Sequence, residues 1–179
     1  MTNIIDIKTA RLEMTAKKGY RNWSSRFEED FRLSTILAQI SIKTLVCLAE
    51  GKENSTFYLY DLIMNLEKLG SGFEFEELNP KEKLYVLDRH LFLLDRIRFE
   101  YMKRLGWLDG YPGEEFTLVE LIMRFDELAP GLHATPPILH KDFPAYREYC
   151  NMTPFEKEDF IGELISIALK KIKSHSTTL

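Results

Sequence analysis

Apolar residues recur three and four positions apart along most of this chain, while strict alternation is nearly absent. That is the pattern of helices that each bury one face. A first helix is expected over 26–50, where Ser25 and Glu28 have capping-box spacing and Gly51 stands where a left-handed residue often ends a helix. Its polar residues Arg32, Gln39, Lys43 and Glu50 gather in one narrow stripe, so it should be covered on most sides. A second helix is expected over 56–69, carried by Leu59, Leu62, Ile63, Leu66 and Leu69 and stopped by Gly70 and Gly72. The link Phe73-Glu74-Phe75-Glu76 alternates apolar and acidic and is expected to be briefly extended.

The third helix has the clearest ends. Asn79, Pro80 and Glu82 supply cap, first turn and capping partner, and Gly106 supplies the stop. Leu84, Leu87, Leu91, Leu94, Tyr101 and Leu105 are expected to form its buried seam, with Arg89, Arg96, Glu100 and Lys103 as its wet stripe. A fourth helix should start after Thr117, with Glu120 as capping partner, and end at Pro130-Gly131. A short helix is expected over 144–150, and a last one from the cap Thr153-Pro154-Phe155-Glu156 to about residue 173. These elements predict an all-α fold, an irregular or orthogonal bundle of about five main helices around a long central helix (79–105). One domain spans 23–173, preceded by a partly ordered arm over 1–22, with a short helix near 6–14, and followed by a frayed tail over 174–179.

The net charge of −4 is unevenly spread. Residues 1–27 carry six basic side chains against Asp6 and Glu13, whereas 50–79 and 107–130 are acidic. Such asymmetry suits docking of the basic segment on this chain or on a second copy. Cys47 and Cys150 have no metal or disulfide spacing, which points to a reducing compartment such as the cytoplasm. No apolar leader or membrane-length run is present, so no membrane partner is expected.

Several residues break the helical pattern. Arg98 falls in the seam of the third helix and Asp30 in the apolar arc of the first, so an Arg98–Asp30 ion pair is expected, with Asp61 as second candidate partner. His90 faces an apolar arc, and with Arg98 and Tyr101 it marks a candidate ligand pocket. Arg104, Trp107, Asp109 and Tyr111 follow the central helix and mark a candidate interaction surface. His133, His140, Asp142 and Cys150 lie in or near the irregular stretch 130–142, but their spacing matches no metal-ligand pattern. Ser34 and Ser41 would let a neighbouring helix approach closely. Gly70-Ser71-Gly72 precedes acidic residues rather than a helix, so no phosphate loop and no cofactor is implied. No catalytic or metal-ligating residue is singled out.

The function these features favour is that of a non-catalytic helical interaction or regulatory protein, acting on a protein partner or on a second copy of itself. One alternative is a winged-helix-like DNA-binding regulator using Arg89, Arg96 and Lys103, which the acidic flanks oppose. The other is an enzyme or small-ligand-binding protein with a pocket around His90 and Arg98.

Overall fold

The computed structural model describes residues 6–176, with side chains through residue 174. The fold is all-α, with one small antiparallel sheet. Nine α-helices are seen among the described residues: α1 Ile7–Gly19, α2 Arg21–Phe27, α3 Ile42–Ala49, α4 Glu53–Leu66, α5 Pro80–Arg104, α6 Leu118–Met123, α7 Phe125–Ala134, α8 Tyr146–Cys150 and α9 Pro154–Ser176. Strands β1 (Leu108–Gly110) and β2 (Ile138–Leu139) pair through Leu108 and Leu139. Helix α5 is the central rod and packs on α3, α4, α6, α9 and β1. No described helix is long and apolar enough to cross a membrane.

The ends of α5 follow its caps. Asn79 Oδ1 accepts the Glu82 N–H at 2.9 Å, Glu82 accepts the Asn79 N–H at 3.1 Å, and Gly106 takes φ +79°. Helix α1 begins at its cap Asp6 and runs beyond the short helix expected there. Residues 1–5 of the expected arm lie outside the described residues. So do 177–179 of the expected tail, and α9 continues through Ser176.

The helix expected over 26–50 is not one helix. Ser25 lies inside α2, which closes at Glu28 in the left-handed region (φ 55°), and apart from a 3-10 turn at Leu37–Gln39 only Ile42–Ala49 becomes helical again. Two local interactions win over the apolar pattern. Phe31 stacks on Tyr20 with ring centroids 5.3 Å apart and meets Trp23 edge-on at 5.4 Å. Eleven residues of straight helix would separate Tyr20 and Phe31 by about 16 Å, so the chain has to turn back. Ser41, not Ser25, is then the cap: its Oγ accepts the Thr44 N–H at 3.2 Å. The Glu29 carboxylate completes this start, accepting the Ser41 N–H at 3.1 Å and the hydroxyls of Ser41 and Thr44. Burial opposes ionisation of Glu29, but these hydrogen bonds prevail and hold its carboxyl below its ordinary range.

The fourth expected helix is also divided. It breaks at Arg124 (φ −104°, ψ 22°), and α7 carries Pro130 inside it instead of stopping there. The break sets Phe125 edge-on against Phe92 of α5, with centroids 5.4 Å apart. The link expected to be extended is a 3-10 helix, Gly72–Glu77, which stacks Phe75 on Tyr60 at 4.3 Å.

Asp61, fully buried on α4, ties this region together. It accepts from Asn22 Nδ2 of α2 at 2.9 Å, from Asn65 Nδ2 at 3.1 Å and from the Gly72 N–H at 2.8 Å. Gly72 must lack a side chain, since a Cβ there would stand 2.8 Å from Asp61 Cβ and 2.9 Å from the Phe57 ring. Asp61→Ala, which strands several donors, is expected to cost about 3 kcal/mol. Gly72→Ala should cost roughly 1–3 kcal/mol through overpacking. The midpoint of urea unfolding measures both, and wild-type midpoints would remove Asp61 as the tie.

Candidate functional site

Three of the four α5 residues expected to face water are buried, alongside Leu94 and Tyr101 of the expected seam. Arg89, Arg96 and Glu100 are only 4%, 2% and 3% exposed, whereas Leu84 and Leu91, expected in the core, are 60% and 58% exposed. Aromatic rings explain the inversion. The Arg89 guanidinium lies 3.3 Å from the Tyr85 ring centroid and 4.6 Å from that of Phe125. The Arg96 guanidinium lies 5.0 Å from the Phe92 ring and 4.9 Å from the Phe99 ring. Flat, weakly hydrated guanidinium groups stack on such faces and give up water more readily than an ammonium does. Glu100 is satisfied separately, accepting the Tyr111 hydroxyl at 2.7 Å and Arg104 Nε at 3.1 Å.

The residues singled out from the sequence do not assemble as expected. Asp30 is on the surface, paired with Arg32 at 2.7 Å, because residues 28–41 leave the helix that would have carried it inward. Asp61 is taken up by its own donors. Arg98 therefore pairs with neither, and its Nε donates to the Ala49 carbonyl at 3.1 Å. There it caps the C-terminal end of α3, where a cation meets the negative pole of the helix. His90 is buried against Tyr60, ring centroids 4.9 Å apart, and among the described residues neither ring nitrogen has a hydrogen-bond partner. Tyr101 is buried too, which raises its phenol. None of the three lines the cavities described below.

The proposed interaction surface is likewise dispersed. Tyr111 is buried at 4% exposure, and Arg104 reaches back to the Leu37 carbonyl at 3.0 Å. Trp107 lies under Lys171, 5.5 Å from its ring centroid, and Asp109 faces His140 at 3.5 Å. His140 and Asp142 neighbour each other, but His133 packs on Phe92 at 5.2 Å and Cys150 is exposed. Among the described residues no group of three such side chains is arranged for a metal. The basic stripe offered for DNA is spent inside: Arg89 and Arg96 are buried, and Lys103 pairs with Glu114 at 2.9 Å. Ser41 serves as a cap, and Ser34 lies in the irregular segment.

Two concavities stand out. The larger, about 920 Å³, is an open groove between α1, the segment 30–34 and α6, with Asp30 on its wall. Of its cations, Arg32 and Arg124 have carboxylate partners, Asp30 and Glu127, and Lys17 is exposed at its edge, so none of the three is a buried charge. The smaller, about 610 Å³, lies between α5, the end of α7, residues 135–137 and the start of α9. Asp95, Arg96, Phe99, His133, Glu158 and Asp159 contribute to its lining. Its deepest charged group is Arg96, whose Nη1 donates to the Pro112 carbonyl at 2.5 Å. Nε is buried without a partner, and among the described residues no salt bridge reaches the guanidinium. Burial pulls Arg96 down to about 10, Asp95 and Tyr111 working in the other direction, so it remains a cation at neutral pH. Burial raises the Asp95 carboxyl, against the pull of Arg96, Arg98 and His133.

Gly162 adds an independent sign. It sits within α9 on the cavity wall, where a Cβ would meet nothing within 4 Å. A mid-helix glycine costs roughly 0.5–1 kcal/mol relative to alanine, and packing does not require this one. The space beyond its Cα, on the cavity wall, is open. The sequence had placed Arg96 on the wet stripe and so missed it. The signal was the spacing Tyr85–Arg89 and Phe92–Arg96, an aromatic four residues before each arginine.

Compared with known protein families, curated proteins and solved structures, this chain matches none.

The buried His90 ring generates a pH dependence. Burial, reinforced by Arg98, lowers it from 6.5 to about 4. Between those values the unfolded chain holds the proton and the folded chain does not, so stability falls as pH drops through this window. The loss attributable to His90 is about 3 kcal/mol from pH 7 to 4. His90→Leu should remove most of that slope while leaving stability at pH 7 little changed. Urea unfolding across pH 4–7 measures it, and an equal slope in the variant would contradict the assignment.

Proposed function

We propose that this chain is a small-ligand-binding helical protein whose site is the Arg96 cavity, and that its ligand presents a carboxylate to Arg96. One observation carries the reading: a nearly inaccessible guanidinium stands at the base of an open cavity with one carbonyl partner and no counter-charge bonded to it. A buried cation left in that condition is costly, and a carboxylate forming charge-assisted hydrogen bonds offsets that cost. The cavity volume of about 610 Å³ falls in the range of small-molecule sites. What the cavity offers is a charge that needs a partner, so its role is binding rather than catalysis. The free thiols Cys47 and Cys150 support placing the protein in a reducing compartment such as the cytoplasm.

A panel of small carboxylates tests the reading by thermal unfolding. A ligand at ten times its Kd is expected to raise the Tm by about 3 °C. Gly162→Phe, which projects a ring from the wall into open space, should fold normally and abolish the shift. Arg96→Met should abolish it as well. If no carboxylate shifts the wild type, or if Gly162→Phe responds as the wild type does, the cavity is not the site.

Self-association is a second reading, favoured by Leu84 and Leu91. They lie seven residues apart on one stripe of α5 and are more than half exposed. Leu84→Glu with Leu91→Glu is expected to convert an associated form to monomer in sedimentation, and a wild-type monomer at all concentrations excludes this reading.

A further inference from the structure

The charges lining the Arg96 cavity are sorted by depth. Arg96 is 2% exposed and forms the base, while Glu158 and Asp159 on the first turns of α9 are exposed and stand at the mouth. Asp95 lies between these levels, half-buried on α5. Among the described residues neither Glu158 nor Asp159 takes part in a salt bridge. Along the walls run Phe99, Pro136, Pro137, Ile161 and Ile165. The cavity is therefore positive inside, negative outside and apolar between.

Such an arrangement discriminates against ligands of a single charge. A simple carboxylate that reaches Arg96 has to pass and then face the acids above it. A simple amine drawn to the acids has its body pushed toward a buried cation. A molecule carrying both charges meets an opposite charge at each end, and neither pole is left facing its like. We infer that the ligand is a small amphipathic zwitterion of the amino-acid type, its carboxylate on Arg96, its ammonium toward Asp95, Glu158 and Asp159, and its apolar side chain against Phe99 and the proline and isoleucine walls. This rests on reading the cavity as a carboxylate site and adds the second charge and the apolar body.

Three probes of nearly equal shape separate the contributions: L-phenylalanine, 3-phenylpropanoate, which lacks the amine, and 2-phenylethylamine, which lacks the carboxylate. Titration calorimetry on the full chain is expected to show phenylalanine binding at least about ten-fold more tightly than either analogue. Glu158→Gln with Asp159→Asn alters two exposed side chains and leaves the fold intact. In that variant phenylalanine should weaken toward the level of 3-phenylpropanoate, and 3-phenylpropanoate itself should bind as well as before or better.

Equal binding of phenylalanine and 3-phenylpropanoate by the wild type overturns the zwitterion while leaving the carboxylate site standing. So does an undiminished preference for phenylalanine in the double variant, since the mouth acids would then contribute nothing. Binding of 2-phenylethylamine as tight as that of phenylalanine, or no binding of any probe, overturns the zwitterion and the carboxylate site together.

Discussion

Guanidinium groups removed from water have to be met on every side, and α5 carries two of them one heptad apart. Desolvating a charge costs several kcal/mol even after relaxation. Much of the surrounding chain is disposed so as to offset that cost. Tyr85 and Phe92, each four residues before an arginine, supply one ring apiece from α5 itself. The second ring over Arg89 is Phe125, which arrives because the chain breaks at Arg124 and α7 sets off in a new direction. The carbonyl that meets Arg96 is that of Pro112, delivered by the turn after β1. The divided fourth helix and the tight turn near 111–113 thus answer the same electrostatic demand.

The two arginines differ in one respect. Arg89 faces Glu67 at 3.6 Å and Asp126 at 3.5 Å, so its charge is balanced within the fold. Arg96 has rings and a carbonyl but no bonded carboxylate, and it alone opens on a cavity. Similar local construction gives a structural cation in one case and an available one in the other. Opposed charges at the cavity mouth set the polarity that an occupant would have to match.

The limits of α5 were legible in the sequence because caps are local: Asn79, Pro80, Glu82 and Gly106 act on backbone groups next to them. Its orientation was not. Counting leucines as inside and arginines as outside places Leu94 and Tyr101 correctly but misplaces Leu84, Leu91, Arg89 and Arg96, where aromatic neighbours make arginine the better buried residue. The same counting merged residues 26–50 into one helix, since Phe31, Leu37 and Ile40 are buried in an irregular segment as thoroughly as they would be in a helix. Pairings across the chain, such as Phe31 on Tyr20 or Asp61 with the Gly72 amide, leave no mark in a local window. Of the candidate site, His133 was noticed in the irregular stretch, but for a metal. Arg96 was placed on the wet stripe and offered only for DNA, and Asp95, Glu158 and Asp159 drew no reading, because only the third dimension brings them together.

Gly162 puts durability and vacancy in opposition at one position. The longest helix after α5 contains a residue that weakens it, at a point where a larger one would fit without a clash. A lineage selected only for resistance to heat would readily replace it, since alanine strengthens a helix and bulkier residues would also cover the neighbouring apolar wall. Each step along that route adds bulk to a wall of the cavity that Arg96 lines. A glycine at this position therefore leaves space beside the cavity at the expense of a sturdier frame.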